Sequence, residues 1–241
     1  MGRDRLTNAG MVEGRGAART DRVFNPVLPN ACDRPTPYTA IVESSESLES
    51  SESSNPLSPS PLEVRLINIL ANSAVGEVLP AIAQLHLPDW WVAGGAVRNT
   101  VWRSRYGQQC NLGINDIDIA FFDGEGDRAQ ELRAKTALTA QFPQYVFDVK
   151  NQASFARWRD GYRVFRSTED GISHWLHTAT AVGVRLDAEG RWQCFTPYGL
   201  DDLFNGVVRP TPTHLENPKA IQKAASFLEN CPSLVLGDDG R

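Results

Sequence analysis

Asp116 and Asp118 stand one residue apart in the apolar run Ile114-Asn-Asp-Ile-Asp-Ile-Ala-Phe-Phe122. On a strand, residues i and i+2 share a face, so the two carboxylates project together about 7 Å apart while Ile117 and Ile119 turn to the core. No basic residue adjoins them in sequence, and such a pair repels itself unless a cation lies between. Hard oxygen donors of this kind suit Mg²⁺ or Mn²⁺, which keep positions open for water and phosphate oxygens. Upstream, Gly94-Gly95 follows the apolar Trp90-Trp91-Val92-Ala93. Glycines let backbone N–H groups approach an anion closely, and a helix beginning there turns its positive end to the same place. Arg98, one turn further on, is placed either to touch phosphate or to pair with a carboxylate. Strand, Gly-Gly, helix and Asp-x-Asp together describe a site for a metal-chelated triphosphate.

The elements that must hold these residues are legible from periodicity. Ser60 as a cap and Pro61 at the first helical position predict a helix over 61–71, and a second helix is expected from Ser73 to Leu85. Strands are predicted at 90–93, 114–122 and 145–150, with helices over 96–106 and 127–141 between them. A short helix over 151–158 and another over 168–175, capped by Ser167, follow. The spans 179–186 and 192–196 read as antiparallel strands around Asp187-Ala-Glu-Gly190, and a last helix runs from about Asn217 to Leu228. Alternating strands and helices indicate an α+β fold, a mixed β-sheet flanked by helices.

Composition confines this order to part of the chain. All six Trp and all four Lys lie after residue 60, and residues 43–60 hold nine Ser and four Glu. Such a stretch buries almost nothing, so residues 1–60 read as a disordered Ser/Glu/Pro-rich tail, 61–236 as one domain and 237–241 as a flexible C-terminus. The 24 basic and 29 acidic residues leave a net charge of -5, which argues against bulk electrostatic binding of nucleic acid. No apolar run reaches the ~18 residues of a membrane span. Cys32, Cys110, Cys194 and Cys231 are scattered without C-x-x-C spacing and suggest neither a disulfide framework nor a zinc ribbon. A cytoplasmic, reducing setting is the default expectation.

At Gly94-Gly95-Ala-Val-Arg98 with Asn115-Asp-Ile-Asp-Ile119 the sequence resembles the nucleotidyltransferase superfamily of the DNA-polymerase-β type, and in particular the head domain of tRNA CCA-adding enzymes. A closer likeness covers roughly residues 88–235. It includes Val149-Lys-Asn-Gln-Ala153, Thr178-Ala-Thr-Ala-Val-Gly-Val-Arg185 and Tyr198-Gly-Leu-Asp-Asp-Leu-Phe204, and is to microbial nucleotidyltransferase-like proteins. The resemblance implies a nucleotidyltransferase-type fold and two-metal transfer of a nucleoside monophosphate (NMP) from a nucleoside triphosphate (NTP) to an acceptor, with pyrophosphate leaving. It implies that Asp116 and Asp118 hold Mg²⁺ or Mn²⁺ and that a third carboxylate on a later strand completes the site. Asp148, on the predicted strand 145–150, is the candidate; if it points away, the second metal site is incomplete. CCA-adding enzymes have Asp where Asn99 stands here, and no extended basic helical array follows Asp123, so the tRNA substrate is not carried over. The acceptor is left open among protein, RNA and small molecule.

Other residues have blander readings beside the functional ones. Lys150, Asn151 and Gln152 either bind phosphate or base at a strand end or lead into a helix. Asp123 is expected to cap the next helix, Asp201-Asp202 to start another, and Thr178 and Thr180 to serve sheet pairing. Gly124-Glu-Gly-Asp-Arg-Ala129 fits a dinucleotide-loop spacing, but its acidic residues would face the pyrophosphate. His174-x-x-His177 has no third zinc ligand near in sequence. The reading from another class is a noncatalytic nucleotide-binding or interaction module that keeps the fold.

Overall fold

A capping box opens the first helix. Ser60 Oγ accepts from Glu63 N at 3.3 Å while Glu63 Oε2 accepts from Ser60 N at 2.7 Å, and Pro61 occupies a position where no N–H is needed. The structure, a computed structural model, describes residues 58–114, 116–157 and 165–237. Helix α1 spans Pro61–Ala71, and α2, capped by Ser73, spans Ala74–Gln84. Leu66, Leu70, Val75, Val78, Leu79 and Ile82 are fully buried from these two helices. Among the described residues no single helix is long and apolar enough to cross a membrane.

Five strands form the central sheet: β1 (Trp91–Ala93), β2 (Ile117–Phe121), β3 (Phe147–Asn151), β4 (Gly183–Leu186) and β5 (Trp192–Phe195). Their order is β3-β2-β1-β4-β5, with β2 and β3 parallel and every other pair antiparallel. The parallel pair needs a crossover, which α4 (Arg128–Gln141) supplies. Helix α3 (Gly95–Tyr106) follows β1 directly. One sheet face carries Val92, Ile117, Ile119, Phe121, Phe147, Val149 and Val184 into the main core with α1, α2 and α3. The other carries Trp91, Ala93 and Ala120, packed with Ile172 of α5 (Thr168–Ser173) and with Ala181. Alternation puts Asp118 and Asp148 on this second face. This is the α+β arrangement of a mixed sheet flanked by helices.

Several local expectations are corrected. Asp127, not Asp123, caps α4, accepting from Gln130 N at 3.0 Å. Asp123 is held instead by Asn151, whose Oδ1 accepts its N–H and whose Nδ2 donates to its carbonyl. Asn151 thereby ends β3, and residues 152–157 form a 3₁₀ turn rather than an α-helix; residue 158 lies outside the described residues. The strand predicted from 179 begins only at Gly183, because Thr178 and Thr180 serve side-chain bonds in a turn rather than a ladder. Asp201 and Asp202 do begin a helix, α6 (Asp201–Asn205), but Asp202 also accepts from Thr178 Oγ1 at 2.7 Å and Arg209 Nε at 3.0 Å.

The C-terminal part closes over α3. Helix α7 (Pro218–Asn230) is capped by Asn217, and β6 (Val207–Val208) pairs in parallel with β7 (Val235–Leu236). Cys110 and Cys231 are joined as a disulfide, against the expectation of unpaired cysteines. The fold brings together two residues 121 positions apart, a separation that no local spacing rule detects. The tail expected over residues 1–60 lies outside the described residues up to position 57, as do residues 238–241.

Candidate active site

Asp118 is the second residue of β2, with Ala93 of β1 and Asp148 of β3 as its neighbours in register. Asp116 immediately precedes the strand. The turn from β1 into α3 lies against them: Gly94 has φ +77° and is the N-cap of α3. A Cβ there would fall 2.6 Å from the Trp175 ring and 2.8 Å from Asp118 Oδ2. Glycine is thus required at 94 both by the backbone conformation and by space. Gly95 is less constrained, the only atom near its absent Cβ being Arg98 Nη2 at 3.9 Å. Its N–H hydrogen-bonds the Asp118 carboxylate.

These groups border one cavity of about 660 Å³, within the size range of small-molecule sites. Gly94, Gly95, Arg98, Asp116 and Asp118 line one side; His174, Trp175, His177 and Thr180 line another; Asn111 to Gly113 and α7 residues Lys223, Ser226, Phe227 and Asn230 complete it. The expected site residues Gly94, Gly95, Arg98, Asp116 and Asp118 therefore meet in space. Asp148 and Lys150 are not among the cavity's lining. Asp148 faces the same way as Asp118 from the next strand but is ion-paired to Lys150 at 2.9 Å.

Arg98 hydrogen-bonds neither Asp116 nor Asp118, although it lines the same cavity. It is 6 % exposed, donates from Nε and Nη2 to Asn99 Oδ1 at 3.0 and 2.8 Å, and from Nη1 to Thr180 Oγ1 at 2.7 Å. Asn99 in turn donates to Gly113 O at 2.7 Å. The guanidinium also lies 4.1 Å from the Phe227 ring centre. Burial lowers its pKa to about 10, with Asp118 opposing that shift, so the cation persists at neutral pH.

Asp118 shows the strain of gathered negative charge. Burial first, then Asp116, then Asp148 push its pKa up to about 6, while the Gly95 N–H and Lys223 act in the opposite direction. A divalent cation fits this donor set, since it would relieve the mutual repulsion of Asp116 and Asp118. Among the described residues no three His, Cys, Asp or Glu side chains form a ready-made metal cage. Two carboxylates suffice for Mg²⁺, which takes its remaining ligands from water and substrate phosphates.

The histidines are anchored separately, His174 Nδ1 lying 2.7 Å from Asp170 O and His177 Nε2 3.0 Å from Ala220 O. They share no ligand. The pKa of His177 is lowered to about 4, chiefly by burial. Sequence reading missed the contribution of α7, because Lys223, Ser226, Phe227 and Asn230 look like an ordinary amphipathic helix until its neighbours are known. Their i, i+3, i+4, i+7 spacing was the available signal.

Comparison with known proteins gives the family of the chain. Residues 80–236 match the profile of a family described as nucleotidyltransferase. No curated protein sequence matches the chain. A solved NMR structure described as revealing a CCA-adding enzyme head domain is 29% identical with a TM-score of 0.61, over 73% of this chain and 95% of that one. The Thermotoga maritima CCA-adding enzyme complexed with tRNA is 16% identical with a TM-score of 0.48, over 72% of this chain and 42% of that chain. A CCA-adding enzyme in complex with ATP gives 16% identity, a TM-score of 0.49 and coverages of 72% and 41%. The chain thus spans about two fifths of the length of those two enzymes.

Proposed function

Because the chain belongs to the nucleotidyltransferase family, we propose that the cavity binds an NTP with Mg²⁺ or Mn²⁺ and directs transfer of its NMP moiety to an acceptor. The observation that carries this reading is the convergence of Asp116, Asp118 and the Gly94–Gly95 turn on one cavity that also holds protein cations. The divalent ions, held by Asp116 and Asp118, would supply charge neutralisation of the phosphates and of the departing pyrophosphate. The α3 N-terminus offers its dipole to the same anion. Arg98, fixed by Asn99 and Thr180, adds a full positive charge that needs no reorganisation.

In the reaction the acceptor oxygen bonds to the α-phosphorus as the bond to the oxygen bridging the α- and β-phosphates breaks, and the acceptor's proton must leave. Asp148 is the group assigned to take that proton and to complete the second ion site. For that its carboxylate must exchange Lys150 for the reacting groups. The same Asp148–Lys150 ion pair is what favours the second reading, a nucleotide-binding module without turnover.

The deciding experiment incubates the full chain with each labelled NTP, Mg²⁺ or Mn²⁺ and a cell extract, beside the Asp116→Ala/Asp118→Ala variant. The expected result is label transfer by the native protein only, abolished by chelation of the metal. Transfer that survives unchanged in the double variant overturns the site. Nucleotide binding without transfer to anything in the extract favours the noncatalytic reading. A net charge of -5 argues against bulk electrostatic capture of a nucleic acid, so a tRNA acceptor is not part of the proposal.

A further inference from the structure

We propose that α7 is the wall that grips the nucleotide along its length, with Lys223 holding the phosphate end and Asn230, together with Asn111, contacting the base end. This rests on the nucleotide-binding reading of the cavity and adds to it the residues that set affinity and base discrimination.

Four α7 residues, Lys223, Ser226, Phe227 and Asn230, line the cavity from one face of the helix. Lys223 is exposed and has no ion-pair partner among the described residues, yet it acts electrostatically on Asp118 and on His177. It therefore lines the same cavity as Asp116 and Asp118 while its charge is uncommitted. Lys150, by contrast, is ion-paired with Asp148 and is not among the cavity's lining.

The charge balance of the cavity calls for such a group. Arg98 is bound only to the neutral oxygens of Asn99 and Thr180, and Asp116 and Asp118 would be offset by one divalent ion. A triphosphate then meets two protein cations, Arg98 from α3 and Lys223 from α7. Arg98 is buried and locked, so Lys223 is the one free to follow the phosphates.

The other end of the wall is polar and rigid. Asn230 lies seven residues beyond Lys223, about 10 Å along the helix axis, a separation suited to the distance from the outer phosphates of a nucleotide to its base. Asn230 Nδ2 donates to Ser226 O at 2.8 Å, which leaves Oδ1 to accept from a ligand. Asn111 N donates to Asn230 O at 2.7 Å, and the adjoining Cys110–Cys231 disulfide fastens the loop to the helix. Between the ends, Phe227 is 8 % exposed and packs on Arg98, His177 and Trp102, so it is a floor rather than a stacking partner.

Calorimetric titration of the full chain with ATP, CTP, GTP, UTP and tripolyphosphate in Mg²⁺ tests this. Lys223→Gln is expected to weaken all five about ten-fold, the loss of one charge-assisted contact, and Lys223→Arg to keep most of the affinity. Asn230→Ala is expected to leave tripolyphosphate unchanged while altering the ratios among the four nucleotides. If native protein binds the nucleotides and Lys223→Gln binds them equally well, the α7 assignment falls and the nucleotide reading stands. If Asn230→Ala weakens tripolyphosphate as Lys223→Gln does, the division into two ends is wrong. If native protein binds none of the four nucleotides, both readings fall together.

Discussion

Asp118, partly buried, and His177, buried, are two groups whose ionisations oppose one another. The folded pKa of Asp118, about 6, is above the usual carboxylate value, so the native state binds more protons than the unfolded chain between about pH 4 and 6. Stability from this group therefore falls as pH rises through that window. The folded pKa of His177, about 4, lies below the imidazole value of 6.5. There the unfolded chain binds more protons, and stability is lost as pH falls from about 6.5 to 4. Each effect is on the order of 3 kcal/mol, and in the native protein they nearly cancel. In metal-free buffer, Asp118→Asn should be more stable than native protein at pH 7 and lose that advantage by pH 4. His177→Gln, which keeps a donor for Ala220 O, should gain on native protein as pH falls. Urea midpoints from pH 4 to 7 measure both; parallel profiles for all three proteins would refute the assignment. On the proposed function, Asp118→Asn should also lower label transfer at least ~100-fold.

At the scale of elements, the two glycines at the start of α3 have unequal duties. Gly94→Ala forces a Cβ to within 2.8 Å of Asp118 Oδ2 and 2.6 Å of Trp175, at φ +77°. It should cost about 2–4 kcal/mol and abolish nucleotide binding. Gly95→Ala meets only Arg98 Nη2 at 3.9 Å, in a helical position where alanine is favourable. It should leave stability within about 1 kcal/mol, as thermal melting of the two variants would show. The strand, turn, helix and Asp-x-Asp succession was legible because each signal is local: period-2 alternation around Asp118, glycine at a positive φ, a cap at Ser60. Asp123 was misread because a side chain on β3, Asn151, bonds it. Thr178 and Thr180 were misread for the same kind of reason, their partners being Asp202 and Arg98.

For the whole molecule, the site is assembled from segments far apart in the chain. Lys223 lies about a hundred positions after Asp118, and only the packing of α7 beside α3 brings them to one cavity, which is why sequence periodicity could find the helix but not its role. The Cys110–Cys231 disulfide spans 121 positions, so removing it frees a long loop in the unfolded chain. Cys231→Ser, or reduction of the native protein, should lower stability by about 2–4 kcal/mol in urea denaturation. Thiol titration of the denatured, unreduced protein should count two fewer thiols than after reduction. The position of α7 also has a meaning for biosynthesis. Translation adds about 5–20 residues per second, so a nascent chain that already displays Asp116 and Asp118 waits some seconds before the helix bearing Lys223 can emerge. During that interval the carboxylates stand without the opposite wall, and a ribosome-bound intermediate should be blind to nucleotide until the last helix docks.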